Sequence, residues 1–326
     1  MTSKKKILLS FFLFLFCAIY AGNASWLRKE PGGNAALLAH RGVHQTFPVS
    51  LVRYDTCTAE IIDEPNHHYI ENTHDSIRVA FSFGASVVEL DIRATQDGYF
   101  AVFHDDQLDC RTNGEGPLSE YDLKYLQSLD IGYGYTFDGG KSFPLRGLGI
   151  AKMPSLRSVL DTYPDKRFLL HLKSGRTREA DLLIALLASI SKEQQLKLMV
   201  YGADNSVSKA LSQFPEMKGY TRSSVKKCLV NYALLGWSGF VPHSCRNTIL
   251  QIPKNYAPYL WGWPRAFMSR MSAVDTEVIL TGDYDRFSSG IDDISNFENL
   301  TKDYKGMIWT NKIELLGPHL NESRVN

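Results

Sequence analysis

Short apolar runs of strand length alternate along the chain with segments that carry helix signals. The runs lie at Ala36–Ala39, Val87–Ile92, Phe100–Phe103, Phe168–Leu172, Leu198–Tyr201, Ile249–Ile252, Val278–Thr281 and Met307–Thr310. Strands that alternate with helices favour parallel βα units. About eight such strands in some 300 residues favour an α/β fold of the (β/α)₈ TIM-barrel type over an open doubly wound sheet. No GxGxxG string follows the first run, which argues against a dinucleotide-binding fold.

Several helices are marked by apolar periodicity and by capping residues. We predict helices over Ser155–Tyr163, Glu179–Ser191 and Leu123–Leu129, and a further helix start at Glu71-Asn72-Thr73. Ser155 follows a proline and is the expected N-cap of its helix. Ser119 and Asp122 have the spacing of a capping box, with Asp122 in the reciprocal position.

Two segments depart from a regular barrel. The link over residues 93–99 is too short for a helix, so Asp97-Gly98 is expected to turn the chain directly and to make the barrel irregular near its second and third strands. Residues 43–70 lack periodicity and form a long inserted loop. Loops of this length in a compact domain are usually lids or binding loops. Since this one leaves the strand end that carries His40, we expect it to lie over the site.

The N-terminus has the layout of an export signal. Lys4-Lys5-Lys6 precedes an apolar run from Ile7 to Ala21, and small residues follow up to Ser25. This pattern predicts cleavage after Ala24. The run is shorter than the roughly 20 residues that a spanning helix needs, which favours a cleaved signal over a retained anchor. We therefore expect a signal peptide at residues 1–24, a single barrel domain at 25–326, and a periplasmic or secreted protein.

Composition excludes one class of partner and allows disulfides. The chain has 326 residues and a formal net charge of +1, so nothing indicates attraction of nucleic acid. Four cysteines remain after the signal, and an even number in an exported protein permits two disulfides in three pairings. The pairing of sequence neighbours is Cys57–Cys110 with Cys228–Cys245. Free, partly buried thiols are the alternative.

Candidate chemistry lies where apolar runs end. His40 and His104 each close an apolar run, and Glu89 and Asp91 point to the same face of a strand because side chains alternate with period two. Active sites of such barrels lie at the C-terminal strand ends, where these four side chains would meet. Five other histidines have no such partners and are predicted to be solvated loop residues: His44, His67, His68, His74 and His243.

These residue types suit metal-assisted hydrolysis of a phosphate ester. Two histidines can act as an acid–base pair near neutral pH. Carboxylate oxygens suit Ca²⁺ or Mg²⁺. Arg41 and Lys173 can hold phosphate oxygens, the first by a planar fork and the second as a point charge.

The ordered motifs resemble the glycerophosphodiester phosphodiesterase family, whose barrel is related to phosphatidylinositol phospholipase C. The similar strings are Ala39-His40-Arg41-Gly42, Glu71-Asn72-Thr73, Glu89-Leu90-Asp91-Ile92, Thr95-Gln96-Asp97-Gly98, Phe103-His104-Asp105, Arg111-Thr112-Asn113-Gly114, Met153-Pro154-Ser155-Leu156 and, towards the end, Trp309-Thr310-Asn311. The resemblance is dense over residues 36–173 and thinner afterwards.

The resemblance implies hydrolysis of glycerophosphodiesters to sn-glycerol 3-phosphate and an alcohol. It implies that His40 and His104 are the acid–base pair and that Glu89 and Asp91 are metal ligands. It also implies that Arg41 and Lys173 contact phosphate. Glu71 would support the site by orienting its neighbours.

One position departs from the family pattern. Where the family has Glu-x-Lys with the glutamate as third metal ligand, this chain reads His171-Leu172-Lys173. Imidazole suits zinc and other transition ions better than Ca²⁺ or Mg²⁺. Three outcomes are open at His171: a different metal, a weaker site for a hard ion completed by water, or lost activity. An active enzyme is favoured, since both histidines, both carboxylates and Lys173 remain.

Two other functions compete with this one. The first is a catalytically impaired protein of the same fold that binds glycerophospho-groups. The second is a phospholipase D-like enzyme acting on lysophospholipids, with the aromatic region Tyr256–Met271 near a membrane surface. Ordinary core packing explains the same aromatic residues. The alcohol half of the substrate and the oligomeric state are left open.

Overall fold

The computed structural model of the protein describes residues 3–29, 34–53, 55–285 and 289–325. The strands are β1 (Ala36–Ala39), β2 (Val87–Ala94), β3 (Phe100–Val102), β4 (Arg167–Leu172), β5 (Leu198–Gly202), β6 (Lys218–Thr221), β7 (Ile249–Pro253), β8 (Glu277–Thr281) and β9 (Met307–Thr310). The α-helices are α1 (Ser3–Asn23), α2 (His74–Ser82), α3 (Leu123–Ser128), α4 (Leu156–Thr162), α5 (Thr177–Ala188), α6 (Lys192–Gln195), α7 (Asp204–Gln213), α8 (Arg222–Leu235), α9 (Arg265–Ser272), α10 (Ile294–Thr301) and α11 (Ile313–Val325).

Parallel strands form a nearly closed barrel in the order β6-β5-β4-β2-β1-β9-β8-β7. The two outer strands of this path, β6 and β7, lie side by side without a backbone ladder between them in the described residues. Side chains cross this seam instead: the Tyr220 hydroxyl donates to Gln251 Oε1 over 2.9 Å, and the Thr248 hydroxyl donates to the Gly219 carbonyl over 2.9 Å. The predicted TIM-type barrel is confirmed.

Alternation along the strands fills the barrel in layers. Inward-facing apolar residues form one buried cluster: Leu38, Val87, Leu169, Met199, Tyr220, Ile249, Ile279, Met307 and Trp309. Since side chains repeat with period two, the next inward positions towards the C-terminal strand ends are Glu89 and Asp91 on β2 and His171 on β4. The polar side chains at these positions therefore lie directly next to a buried apolar layer.

The prediction has the right number of barrel strands, but it includes one strand that lies off the barrel and omits one that belongs to it. Phe100–Phe103 was taken as a barrel strand, whereas β3 pairs antiparallel with β2, as in a hairpin, and lies off the barrel path. The short 93–99 link forces this geometry, and the predicted irregularity is found there. Lys218–Thr221 was missed because its string Lys-Gly-Tyr-Thr has no apolar run.

Helix starts follow the capping signals in most cases. Ser155 caps α4 and Thr73 caps α2, each accepting from the backbone N–H three residues on. The predicted capping box at Ser119 is wrong. The N-cap of α3 is Asp122, which accepts from the Tyr125 N–H, and Ser119 lies in a preceding 3₁₀ turn.

Both disulfides have the pairing of sequence neighbours. Cys57 is bonded to Cys110, and Cys228 to Cys245. Within residues 43–70 the described chain forms 3₁₀ turns at Val49–Leu51 and Thr58–Ile61. The Cys57–Cys110 bond fastens this segment to the loop that follows β3, which also carries His104.

Candidate active site

Two buried carboxylates lie side by side on the inner face of β2. Neither Glu89 nor Asp91 is exposed to solvent. Glu89 accepts from the Tyr201 hydroxyl over 2.7 Å and from the Arg41 backbone N–H over 3.2 Å. Asn72, whose left-handed backbone (φ 60°) sets its direction, donates from Nδ2 to Asp91 Oδ2 over 3.1 Å.

The two carboxyl groups differ in acidity. Burial and the neighbouring Asp91 raise the pKa of Glu89 above its usual range. Burial acts on Asp91 in the same direction, but Lys173 and Arg41 outweigh it and hold the pKa of Asp91 well below its usual value. Asp91 is thus fully ionised, whereas Glu89 is ionised only when positive charges lie close to it.

The neighbouring strand β4 adds an imidazole and an ammonium group. His171 Nδ1 lies 3.0 Å from Asp91 Oδ1 and 3.7 Å from Glu89 Oε1, and its ring stacks on Tyr201 at 4.1 Å. Burial lowers the pKa of His171 to about 4, so the ring is neutral at pH 7. Lys173 Nζ lies 3.5 Å from Asp91 Oδ1.

Arg41 connects the strand ends to one another. Its backbone is left-handed (φ 57°), a strained conformation that is concentrated at functional sites. Its Nε lies 3.1 Å from Asp91 Oδ2, and its Nη1 donates to Glu71 Oε1 over 3.0 Å. The next residue must be glycine, since a Cβ at Gly42 would collide with the Ser76 hydroxyl. The string His40-Arg41-Gly42 is therefore dictated by local geometry as well as by chemistry.

The proton position on His40 follows from its hydrogen bonds. Asn311 Nδ2 donates to Asp292 over 2.8 Å, which turns Asn311 Oδ1 towards His40 Nδ1 at 2.7 Å. Nδ1 must therefore carry the proton, and Nε2 is left as an acceptor, 3.1 Å from Arg41 Nε. Burial and the Arg41 charge lower the pKa of His40 well below its usual value. His40 is thus a neutral imidazole whose unprotonated Nε2 accepts a hydrogen bond from Arg41 Nε.

His104 is oriented by a carboxylate. Its Nδ1 lies 2.5 Å from Asp105 Oδ1, and Arg111, which is 1% exposed, lies 3.4 Å from the other oxygen of Asp105. Burial lowers the pKa of His104 to about 4, with a further contribution from the Arg41 charge. Burial opposes ionisation of Asp105, but Arg111 and His104 hold its pKa well below the usual range. Asp105 therefore stays charged and can stabilise an imidazolium ring at His104.

Both histidines line one cavity of about 440 Å³. One wall comes from the 43–70 segment and the opposite side from the last strand end, including Phe47, Val52, Arg53, Asn311 and Lys312. The structure thus brings His40, His104 and Arg41 together at the cavity, with the carboxylates, His171 and Lys173 beneath Arg41. Glu71 touches the cavity residues through its ion pairs with Arg41 and Arg111.

The prediction that His44 is a solvated loop residue is wrong. His44 is 1% exposed, lines the cavity, and packs its ring edge-on against His40 with centroids 5.3 Å apart. Its Nδ1 contacts the Gln45 carbonyl, and its buried Nε2 makes no hydrogen bond within the described residues. The sequence around His44 gives no sign that this residue is buried, because the segment that buries it has no periodic pattern.

Sequence reasoning also gave no role to Asn72, Asp105, Arg111, Tyr201 and Asn311, all of which contact a site residue. Four of them fall in the strings that carry the family resemblance, so the signal was present at the level of the motif. Tyr201 falls outside those strings. Its position is set by the register that pairs it with His171 across β4 and β5.

The donor set fits a divalent metal ion. Glu89, Asp91 and His171 each offer one ligand atom, and these atoms lie within 4.8 Å of one another. Two carboxylate oxygens and one imidazole nitrogen form a mixed set that hard and borderline ions both accept. The cluster lies on the inner face of the barrel, next to Arg41 and Lys173.

Comparison with known proteins agrees with this geometry. Residues 40–181 match the model of the glycerophosphoryl diester phosphodiesterase family, and this range includes His40, Glu89, Asp91, His104 and Lys173. A glycerophosphodiester phosphodiesterase of Caldanaerobacter subterraneus is 35% identical over 109 residues, which are 32% of this chain and 40% of that protein. One of Bacillus subtilis is 31% identical over 127 residues, 39% of this chain and 43% of that protein. The chain thus spans about two fifths of the length of these curated relatives.

Solved structures match the fold over most of the chain. A glycerophosphodiester phosphodiesterase of Agrobacterium tumefaciens has a TM-score of 0.58 at 18% identity, covering 87% of this chain and 99% of that one. A phosphodiesterase of Oleispira antarctica, solved with the product sn-glycerol-3-phosphate, has a TM-score of 0.55 at 18% identity, covering 90% of this chain and 98% of that one. At 18% identity, this structural similarity establishes the barrel fold alone.

Proposed function

We propose that this chain, whose residues 40–181 match the glycerophosphoryl diester phosphodiesterase family, is a member of that family and hydrolyses glycerophosphodiesters to sn-glycerol 3-phosphate and an alcohol with the aid of a divalent metal ion. The observation that carries the proposal is the single cavity that holds His40 and His104, each with its protonation set by a fixed partner, next to a cluster of carboxylates and cations. Family relatives with this activity support it.

His40 is suited to the general base. Its ring is neutral, Nδ1 is occupied by Asn311, and Nε2 can accept a proton from the attacking hydroxyl. The resulting imidazolium would lie 3.9 Å from Glu89 Oε2, which stabilises the added charge. Arg41 Nε must first turn away from His40 Nε2, as it would when Arg41 binds a phosphate oxygen, and the nitrogen can then take up the proton.

His104 is suited to the general acid. It must be protonated to serve the leaving oxygen, and the charged Asp105 at 2.5 Å favours that form. A bound phosphodiester adds a negative charge to the cavity and raises the pKa of His104 further. Because burial and the Arg41 charge hold the pKa of His104 at about 4, His104 gains its proton only together with the anionic substrate.

Arg41 and Lys173 are the cations for the phosphate oxygens. Both are largely buried, and both balance Asp91 in the structure described here. Glu71, whose pKa is lowered to about 2 by Arg111 and Arg41 against the opposing effect of burial, holds Arg41 in place. The guanidinium of Arg41 and the ammonium group of Lys173 can then stabilise the negative charge on the phosphate oxygens as it redistributes during the reaction.

The metal would be held by Glu89, Asp91 and His171. When bound, it supplies positive charge that neutralises the phosphate oxygens in the transition state. Ca²⁺ and Mg²⁺ are favoured by the two carboxylates, and His171 adds affinity for transition ions.

A metal-by-substrate panel tests the proposal. The full chain is treated with chelator, supplied with Ca²⁺, Mg²⁺, Mn²⁺ or Zn²⁺, and assayed for sn-glycerol 3-phosphate released from glycerophosphocholine, glycerophosphoethanolamine and glycerophosphoglycerol. We expect release that disappears with chelator and returns with at least one ion. Binding of these diesters without release under any ion would contradict the proposal and support the binding-protein alternative. If lysophospholipids are supplied in a parallel assay, release of lysophosphatidic acid from them with no release from the deacylated diesters would support the phospholipase D-like alternative.

A further inference from the structure

The end of helix α1 is built into the outer surface of the barrel. Arg270 on α9 donates to the Gly22 carbonyl and to Asn23 Oδ1, each over 3.0 Å. Asn23 Nδ2 in turn donates to the Trp237 carbonyl over 2.8 Å. Ala24, the residue before the expected cleavage point, is only 7% exposed. These are contacts between residues more than 200 positions apart, so the end of α1 belongs to the folded body.

The residue after the expected cleavage point is held just as firmly. The Ser25 hydroxyl donates to the Gly262 carbonyl over 3.0 Å and accepts from the Arg265 backbone N–H over 2.8 Å. Cleavage after Ala24 would therefore remove two acceptors from Arg270 and expose a buried position. A signal peptide that is cleaved off is not expected to supply contacts on which the mature fold depends.

The remainder of α1 projects away from the barrel. Over Lys4–Asn23 the helix is long and apolar enough to cross a membrane, and none of its apolar window is buried against the protein. At 1.5 Å per residue these 20 residues extend for about 30 Å, which is the thickness of a bilayer's hydrocarbon core. The helix begins before the apolar run that starts at Ile7, so that Lys4 to Lys6 lie at its start. Their long side chains can keep the charged ends in the headgroup layer while the stems lie along apolar surface.

Exposed apolar side chains lie next to the end of α1, in the segment that follows it and around the turn that it contacts. We define this apolar patch as Trp26, Leu27, Leu234, Leu235, Trp237 and Phe240. Trp26 is 68% exposed, Leu234 67% and Phe240 51%. Single exposed apolar residues are ordinary, but a contiguous group marks a contact surface. Tryptophan in particular is concentrated where a protein meets the headgroup layer of a bilayer.

The aromatic residues of the Tyr256–Met271 region are divided between core and surface. Phe267 is fully buried, and Trp263 stacks on Tyr304 with centroids 5.5 Å apart. Trp261 is 39% exposed and borders the apolar patch through its hydrogen bond to the Ala233 carbonyl. The apolar patch therefore lies beside the Tyr256–Met271 region, at the end of α8.

We propose that α1 is retained as a membrane anchor and that the apolar patch rests in the interfacial layer of the same phospholipid bilayer. The three lysines before Ile7 would stay on the cytoplasmic side and place the barrel on the opposite face, in line with the positive-inside rule. The two parts support each other, because the end of α1 contacts the turn that carries Trp237. This proposal does not depend on the catalytic activity.

The first test is the N-terminus of the expressed protein. The full chain is produced in a bacterial host, and membranes are washed with high salt and then at alkaline pH. We expect the chain in the washed membrane fraction with a mass that includes residues 1–24. A chain that begins at Ser25 and is recovered in the soluble fraction would overturn the proposal.

The second test measures contact of the patch with lipid. The full chain is reconstituted in phosphatidylcholine–phosphatidylglycerol vesicles, with or without bromine on the acyl chains, and tryptophan fluorescence is recorded. We expect quenching by the brominated lipid that is mostly lost in a W26F/W237F double variant, which preserves the apolar surface. The control W309F, at a barrel position that is 7% exposed, should retain the quenching. Equal quenching of the double variant and the wild type, or none in the wild type, would contradict contact of the patch with the bilayer.

Discussion

At the scale of single residues, the site depends on which imidazole nitrogen carries the proton. Asn311 fixes this at His40 because its amide is itself oriented by Asp292. Asp105 fixes it at His104 because a carboxylate can only accept. One histidine therefore presents a base nitrogen, and the other has a counter-ion for its charged form. Two identical side chains acquire different roles from their neighbours.

Replacing Asp105 by Asn tests the second of these roles. The hydrogen bond and charge of Asp105 raise the pKa of His104, partly offsetting burial. Without that carboxylate the pKa of His104 falls, so the acid form is lost at lower pH. In a pH–rate profile of kcat we expect the alkaline limb of Asp105→Asn to move to lower pH, with a lower maximum. An alkaline limb at the wild-type pH would show that Asp105 does not act through His104.

Position 171 is where this chain departs from the pattern of the family that it resembles, and His171→Glu tests its role. A third carboxylate adds a hard oxygen and a negative charge beside Glu89 and Asp91. We expect Ca²⁺ binding, measured by titration calorimetry, to tighten about tenfold or more, since charge and oxygen ligands both favour this ion. His171→Gln is the matched control, with a neutral oxygen. An unchanged Ca²⁺ affinity in both variants would mean that residue 171 does not ligate the metal.

Sequence could identify the residues of the site that lie in short strings. His40, Glu89, Asp91 and His104 are recognisable because each ends or alternates along an apolar run. His44 was misjudged because its burial depends on the 43–70 segment, whose path follows from long-range contacts rather than from any period. Tyr201 was not identified because its contact with Glu89 depends on strand register.

At the scale of elements, the barrel could be predicted from apolar runs because its strands are covered on both faces. Two elements escaped this rule. The strand β6 has a polar and glycine-containing string, and β3 has an apolar string but pairs as a hairpin partner. Apolar content indicates burial, whereas pairing partner and direction depend on the length of the connection before the strand.

The Cys57–Cys110 bond gives an element-scale prediction. It ties the cavity wall in the 43–70 segment to the loop that carries His104. In a C57S/C110S variant we expect KM for the diester to rise several-fold, because the wall is less restrained, while kcat changes less. Steady-state kinetics under the activating metal measure both constants.

The second disulfide provides the control. Cys228 and Cys245 join α8 to the turn before β7 and do not line the cavity. C228S/C245S should lower the free energy of unfolding by about 2–4 kcal/mol without raising KM. A KM that rises equally in both variants would indicate a general loss of stability and would contradict the role given to the cavity wall.

At the scale of the whole molecule, buried charge is balanced across several elements. Glu71 at the start of α2 pairs with Arg41 after β1 and with Arg111 after β3, and Arg111 also faces Asp105. Removing one member leaves another charge buried without a partner, which typically costs about 3–5 kcal/mol. The same network that orients the cavity therefore contributes to the stability of the fold.

Glu71→Gln tests this through pH. The two arginines outweigh burial and lower the pKa of Glu71 from 4.5 to about 2, so its stabilising effect is complete above about pH 4.5 and is lost as pH falls towards 2. We expect the free energy of unfolding in urea to be lower for Glu71→Gln by about 3 kcal/mol at pH 7. The difference should narrow steadily below pH 4.5. A difference that stays constant down to pH 3 would show that the charge of Glu71 is not the source of the stabilisation.

The most direct test of the central claim compares His40→Ala and His104→Ala on two diesters that differ only in the leaving alcohol. With glycerophosphocholine, both variants should lose about 10²–10⁴-fold in kcat, as is typical for loss of an acid or a base. With 4-nitrophenol as leaving alcohol, which needs little protonation, His104→Ala should recover most of its rate and His40→Ala should not. The exposed His243 supplies a control, His243→Ala, expected to keep the wild-type rate on both. Wild-type rates in either cavity variant with glycerophosphocholine would contradict the account.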